Sequence, residues 1–73
     1  MPFKSEHSAR IKRPKPDAKY WRRNFENGLG VVIMNGSVQS IRFKTAYWTV
    51  VEAKRYLRQG GWKVLKFEKA QES

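Results

Sequence analysis

Cysteine is absent from this chain, and histidine occurs once, as His7. Without thiols there is no disulfide and no thiolate metal site, which fits a reducing compartment. One imidazole plus carboxylates is a poor zinc ligand set, so neither a metal nor a cofactor is expected. Acids are scarce as well: six Asp and Glu stand against 16 Lys and Arg, for a formal charge of +10. No apolar run approaches the roughly 18 residues that mark a membrane span. The first residues lack the short apolar core of a secretory signal, and a soluble cytoplasmic protein is the expectation. Glycine-rich phosphate loops, a helix-turn-helix and an RNP sequence are also missing. No acid, base and nucleophile accompany one another, which argues against an enzyme.

What is present is an abrupt change of character near Asn24. The first 23 residues carry Lys4, Arg10, Lys12, Arg13, Lys15, Lys19, Arg22 and Arg23 against Glu6 and Asp17. All three prolines (Pro2, Pro14 and Pro16) fall in the same stretch. Residues 1–19 show no apolar period and read as a disordered basic arm, with 10–16 extended or polyproline-like. Residues 20–73 read as a small α+β domain. About 50 residues bury only ~60% of their unfolded surface, so a stability of roughly 3–5 kcal/mol is expected. So large a positive charge opposes compaction by self-repulsion, and its commonest reason is a polyanionic partner.

Tyr20-Trp21-Arg22-Arg23-Asn24-Phe25 forms the hinge between arm and body. Phe25 reads as a core anchor, while Trp21 is open between anchoring and stacking on bases. Asn27-Gly28 and Gly30 read as a turn. Residues 31–34 and 37–44 flank Asn35-Gly36, the strongest short-range hairpin signal, because both turn residues tolerate positive φ. Period two puts Gln39, Ile41 and Phe43 on one face and Ser40, Arg42 and Lys44 on the other. Thr49-Val50-Val51-Glu52 is a capping box, predicting a helix over 50–59 that stops at Gly60-Gly61. On that helix Val50, Ala53, Tyr56 and Leu57 form the core face. Lys54, Arg55 and Arg58 flank it, as dipole-complementing cations or as phosphate contacts. Residues 62–67 read as a last strand with imperfect alternation, and 69–73 as a frayed tail. The expected architecture is therefore ββαβ: an antiparallel hairpin, one helix packed on one sheet face, and a C-terminal strand. Its core should hold Val32 or Ile33, Ile41, Phe43, Val50, Ala53, Leu57, Val64 and one or both of Trp48 and Trp62.

Residues 43–63, Phe-Lys-Thr-Ala-Tyr-Trp-Thr-Val-Val-Glu-Ala-Lys-Arg-Tyr-Leu-Arg-Gln-Gly-Gly-Trp-Lys, resemble a segment that recurs in tailed-phage proteins. The shared pattern is phenylalanine-x-lysine, tryptophan-threonine, glutamate-alanine, an aromatic-leucine pair and a glycine before the last strand. It is associated with prohead proteases and with small phage proteins of unassigned role. The resemblance implies a phage or prophage origin, hence a host cytoplasm. It implies no protease here, because the part read as folded has no serine–histidine pair.

The first functional expectation is a non-catalytic nucleic-acid-binding protein of low sequence specificity, with DNA and RNA undistinguished. The residues that would carry it are Arg10, Lys12, Arg13, Lys15, Lys19, Arg22 and Arg23 of the arm and hinge. Arg42, Lys54, Arg55 and Arg58 would extend the positive surface, and Trp21 would stack. Neutralising about five phosphates would give a log K against log salt slope near −4.5 on B-DNA. The alternative is a protein-binding module, an inhibitor or assembly factor docking on an acidic protein surface. An open sheet edge would add a strand there, with Tyr47, Trp48 or Trp62 as anchors.

Overall fold

The computed structural model describes residues 5–70. They form an α+β unit of five strands and one helix: β1 (Glu6–Arg10), β2 (Tyr20–Asn24), β3 (Leu29–Met34), β4 (Ser37–Lys44), α1 (Val50–Gln59) and β5 (Lys66–Glu68). The strands make one antiparallel sheet in the order β2-β3-β4-β1-β5.

The local signals act as their chemistry requires. Asn35 and Gly36 take φ of 50° and 82°, which closes the β3–β4 hairpin with the twist that paired strands favour. Thr49 caps α1 by accepting from the Glu52 amide at 3.1 Å, and the Glu52 carboxylate accepts from the Thr49 amide at 3.0 Å. Those two bonds hold the Glu52 carboxyl below its usual range, first through the Thr49 backbone. Beyond Gln59 the left-handed residue is Gly61, at φ 71°, while Gly60 stays right-handed.

The helix packs on one sheet face only. Ala53 and Leu57 meet Ala9, Leu29, Ile41 and Phe43, the buried core. Trp48, Tyr56, Val64 and Phe67 close around it. Phe43, Trp48 and Tyr56 form an edge-to-face triad with centroids 5.2, 5.8 and 5.5 Å apart. Ile41, Phe43, Ala53 and Leu57 thus sit where the pattern puts them, and Trp48 and Val64 line the margin. Val32, Ile33 and Val50 are only half-buried, Trp62 is exposed, and Leu29 takes the β3 core position.

Four expectations need correcting. The basic arm is not disordered over Glu6–Arg10: this segment is β1, pairing with β4 on one side and β5 on the other. It escapes detection because Glu-His-Ser-Ala-Arg has one apolar residue, so no alternation shows; residues 1–4 of the arm lie outside the described residues. The hinge is a second unforeseen strand, the exposed edge β2, and Phe25 is 44% exposed instead of anchoring the core. The last strand is shorter than 62–67 and begins at Lys66; the expected frayed tail falls partly outside the described residues, but Ala70 is buried. His7, read as part of a loose arm, is also buried. Its Nδ1 accepts from the Ala70 amide at 2.9 Å, and its ring stacks on Phe67.

Candidate nucleic-acid interface

Strand alternation sorts the cations before any distance is measured. With Ala9, Ile41 and Phe43 against the helix, Glu6, Ser8, Arg10, Ser40, Arg42 and Lys44 project from the other, uncovered face. The β3–β4 and β2–β3 registers place Gly30 opposite Arg42 and Asn24 opposite Gly30. Arg22 and Tyr20 share the Asn24 side.

Arg22 is only partly open to solvent there. Its guanidinium reaches across the sheet to Glu6, Nη1 donating to Oε1 at 2.9 Å while Nη2 pairs with Oε2. Its Nε donates to Asn24 Oδ1 at 2.7 Å. The path exists because residue 30 is glycine: a Cβ there would sit 2.7 Å from Arg22 Nη2. The hydrogen bond from Arg22 is the largest influence on Glu6 and holds its carboxyl below the ordinary value. The same bond raises Arg22. Beside this pair Arg42 Nε donates to Ser40 Oγ at 3.0 Å, and the Ser8 and Ser40 hydroxyls lie 3.3 Å apart. Burial lowers Arg42. Ser8 and Ser40 are therefore buried on the uncovered face, roofed by long charged side chains instead of by a second layer.

The lowered Glu6 carries a pH prediction. A carboxyl depressed on folding contributes stability above its unfolded pKa and loses it as pH falls through the folded value. The stability difference between the natural chain and Glu6→Gln should be full above about pH 4.5 and shrink below it. A charged-group hydrogen bond sets its size at about 2 kcal/mol. Urea titrations of both chains from neutral pH downward measure this, and a pH-independent difference would contradict it.

Residues 11–19 connect β1 to β2 across the hairpin end of the sheet. The Ile11 and Lys12 amides donate to Gln39 O at 2.8 and 3.1 Å, and Gln39 Nε2 donates to Lys12 O at 2.9 Å. Midway, the Tyr20 hydroxyl accepts from the Lys15 amide at 2.8 Å and donates to Lys15 O at 2.9 Å. At the far end the Lys19 amide donates to Asn35 Oδ1 at 3.1 Å. The loop is thus tied down while Lys12, Arg13, Lys15 and Lys19 stay exposed. Among the described residues none of these four makes an ion pair. Where the loop leaves β1, Arg10, Arg13, Pro14, Leu65 and Lys66 line an open groove of about 560 Å³. Arg10 makes only a long contact there, 3.9 Å to Glu68.

The remaining predicted residues lie elsewhere. Lys54, Arg55 and Arg58 are exposed on the helix, across the sheet from Arg10 and Arg42. Lys54 Nζ stands 5.3 Å over the Phe67 ring. Trp21 and Arg23 alternate onto the helix side of edge strand β2, with Arg23 5.6 Å over the Phe25 ring. The tertiary structure therefore brings Arg10 and Arg13 together with Lys66, which sequence reasoning missed, leaves Lys12, Lys15 and Lys19 exposed along the tethered loop, and binds Arg22 internally. Lys66 had no separate signal, because the register that aims it beside Arg10 belongs to a strand pairing across the whole chain.

Among the described residues no cluster of His, Asp or Glu is arranged to hold a metal, and no helix is long and apolar enough to cross a membrane. An antiparallel α+β domain with a tethered cationic loop is the class that these features define. No protein-family profile matches the chain, and neither a curated protein nor a solved structure does.

Proposed function

We propose that this chain binds nucleic acid, without catalysis and with low sequence specificity, through loop 11–19 and the adjoining end of the uncovered sheet face. The observation that carries this reading is the loop itself: four exposed cations on a backbone tethered at both ends, leading into a groove lined by Arg10, Arg13 and Lys66. A tethered loop loses little conformational entropy when it contacts phosphates, so more of the electrostatic attraction remains as affinity. Trp21 stands on the helix side of β2, on the face of Lys19 and Arg23 but away from the groove of Arg10, Arg13 and Lys66, so phosphate contact and not base stacking is the main mode. Phosphates carry no sequence information, hence the low specificity.

The test is fluorescence-anisotropy titration of labelled single- and double-stranded oligonucleotides at several salt concentrations. The natural chain is compared with a variant in which Lys12, Arg13, Lys15 and Lys19 are all alanine. Micromolar or tighter binding is expected at low salt, weakening as salt rises. The loop variant should lose up to about 3.6 from the log–log salt slope on B-DNA, at about 0.9 per phosphate contact. Absence of salt-dependent binding in the natural chain would overturn the reading and favour an acidic protein surface as the partner.

A further inference from the structure

We propose that two copies of this chain associate through β2, antiparallel and centred on Arg22, to join their sheets into one. β2 is an edge along its whole length, with every residue exposed, Trp21 at 54%. Natural edges are usually short, charged, interrupted by proline or bulged, and the charges of β2 are Arg22 and Arg23. This one runs five residues, contains no proline and keeps a regular register against β3, whereas the opposite edge β5 has three residues.

The backbone decides which register a second copy takes. The Phe25 amide donates to Leu29 O at 2.8 Å, and the Asn35 amide donates to Lys19 O at 3.0 Å. In an antiparallel ladder the residues that exchange bonds alternate, so Lys19, Trp21, Arg23 and Phe25 turn their amides and carbonyls toward β3. Those of Tyr20, Arg22 and Asn24 point outward. One antiparallel register satisfies all three: Tyr20 against Asn24 of the second copy, Arg22 against Arg22, and Asn24 against Tyr20.

That register is self-complementary in its side chains too. Between the bonded pairs, Trp21 falls opposite Arg23 of the second copy, and Arg23 opposite Trp21. Both are non-hydrogen-bonded positions, where side chains approach most closely. Both also lie on the helix side, so each Arg23 guanidinium, 5.6 Å over its own Phe25 ring in the single chain, turns to the indole face of the second copy, a pairing that favours association. Arg22 against Arg22 would ordinarily repel. Here each Arg22 guanidinium is drawn over Gly30 to Glu6 of its own chain, away from the seam. Opposed residues share a face of a sheet, so both helices lie on one side and the two uncovered faces become continuous.

The pairing does not depend on the nucleic-acid reading, and its salt dependence has the opposite sign. Two chains of +10 each repel, and salt screens that repulsion. Sedimentation equilibrium of the full chain at about 0.05 M and about 0.5 M salt should show a dimer that tightens with salt. Trp21→Lys, which opposes two cations, should raise the dimer dissociation constant at least about tenfold without lowering the melting temperature measured at concentrations where both chains are monomeric. The register is tested separately, which the cysteine-free chain makes clean. An equimolar mixture of Trp21→Cys and Arg23→Cys chains should cross-link on mild oxidation, while either alone should not. In this register identical positions 21 or 23 lie about 7–8 Å apart on the diagonal, beyond disulfide reach. A monomer at millimolar concentration in both salts, or cross-linking of single variants as fast as of the mixture, would overturn the proposal.

Discussion

A chain shortened by its first ten residues is expected to be unfolded at room temperature, although this is the segment whose sequence looks most dispensable. Residues 6–10 hold the sheet together between β4 and β5. Ala9 is fully buried opposite Ile41 and Phe67. Removing the strand strips β4 of one ladder, leaves β5 with no neighbour, and opens one flank of Ile41 and Phe43 to water. It also removes Glu6, the partner of Arg22, and His7, the acceptor that holds Ala70. A domain of this size has roughly 3–5 kcal/mol in total, and several losses of about 1–3 kcal/mol each exceed that. Circular dichroism on heating is the check: no cooperative transition is expected from the shortened chain. A melting curve like that of the natural chain would show that β1 is not needed. The loop variant lacking Lys12, Arg13, Lys15 and Lys19 should still melt cooperatively, since each exposed substitution usually changes stability by no more than about 0.5 kcal/mol and removing like charge relieves repulsion. For that reason the loop variant, and not truncation, separates phosphate binding from folding.

Phe43→Ala should cost about 3–5 kcal/mol, the range for emptying a buried aromatic site, and so leave little or no folded protein. Phe43 is fully buried, and its ring meets both Trp48 and Tyr56 edge-to-face. It is the point where sheet, helix and the segment before the helix converge. Trp48 is itself fixed by donating from Nε1 to Asn27 O at 2.9 Å, so it cannot swing into the vacated space without giving up that bond. Phe43→Leu keeps most of the volume and should cost far less, about 1.5 kcal/mol. Urea titration of both variants reads the difference. Equal costs for Ala and Leu would mean that the triad is not what the core rests on.

The helix and the central hairpin were legible from the residues because their signals act over three or four positions. A capping box closes two hydrogen bonds within one turn, and Asn35-Gly36 relieves a steric conflict within two residues. The alternation of Ile41 and Phe43 with Arg42 and Lys44 was readable for the same kind of reason, since the pleat repeats every second residue. The candidate site was legible as charge but not as geometry. Nothing in the sequence separates Arg13, exposed in the loop, from Arg22, bound to Glu6.

By itself, then, the sequence determined an α+β class, the hairpin, the capped helix, a cysteine-free chain and a large cationic excess. Only the tertiary structure decided that Glu6–Arg10 is the strand joining β4 to β5, that β2 is an open edge, and which cations face solvent together. The physical reason is distance along the chain. Burying Glu6 and Ser8 becomes favourable only once Arg22, sixteen residues on, and Ser40, 32 residues on, arrive to satisfy them. A segment whose polar groups are paired that far away carries no local apolar pattern to announce it.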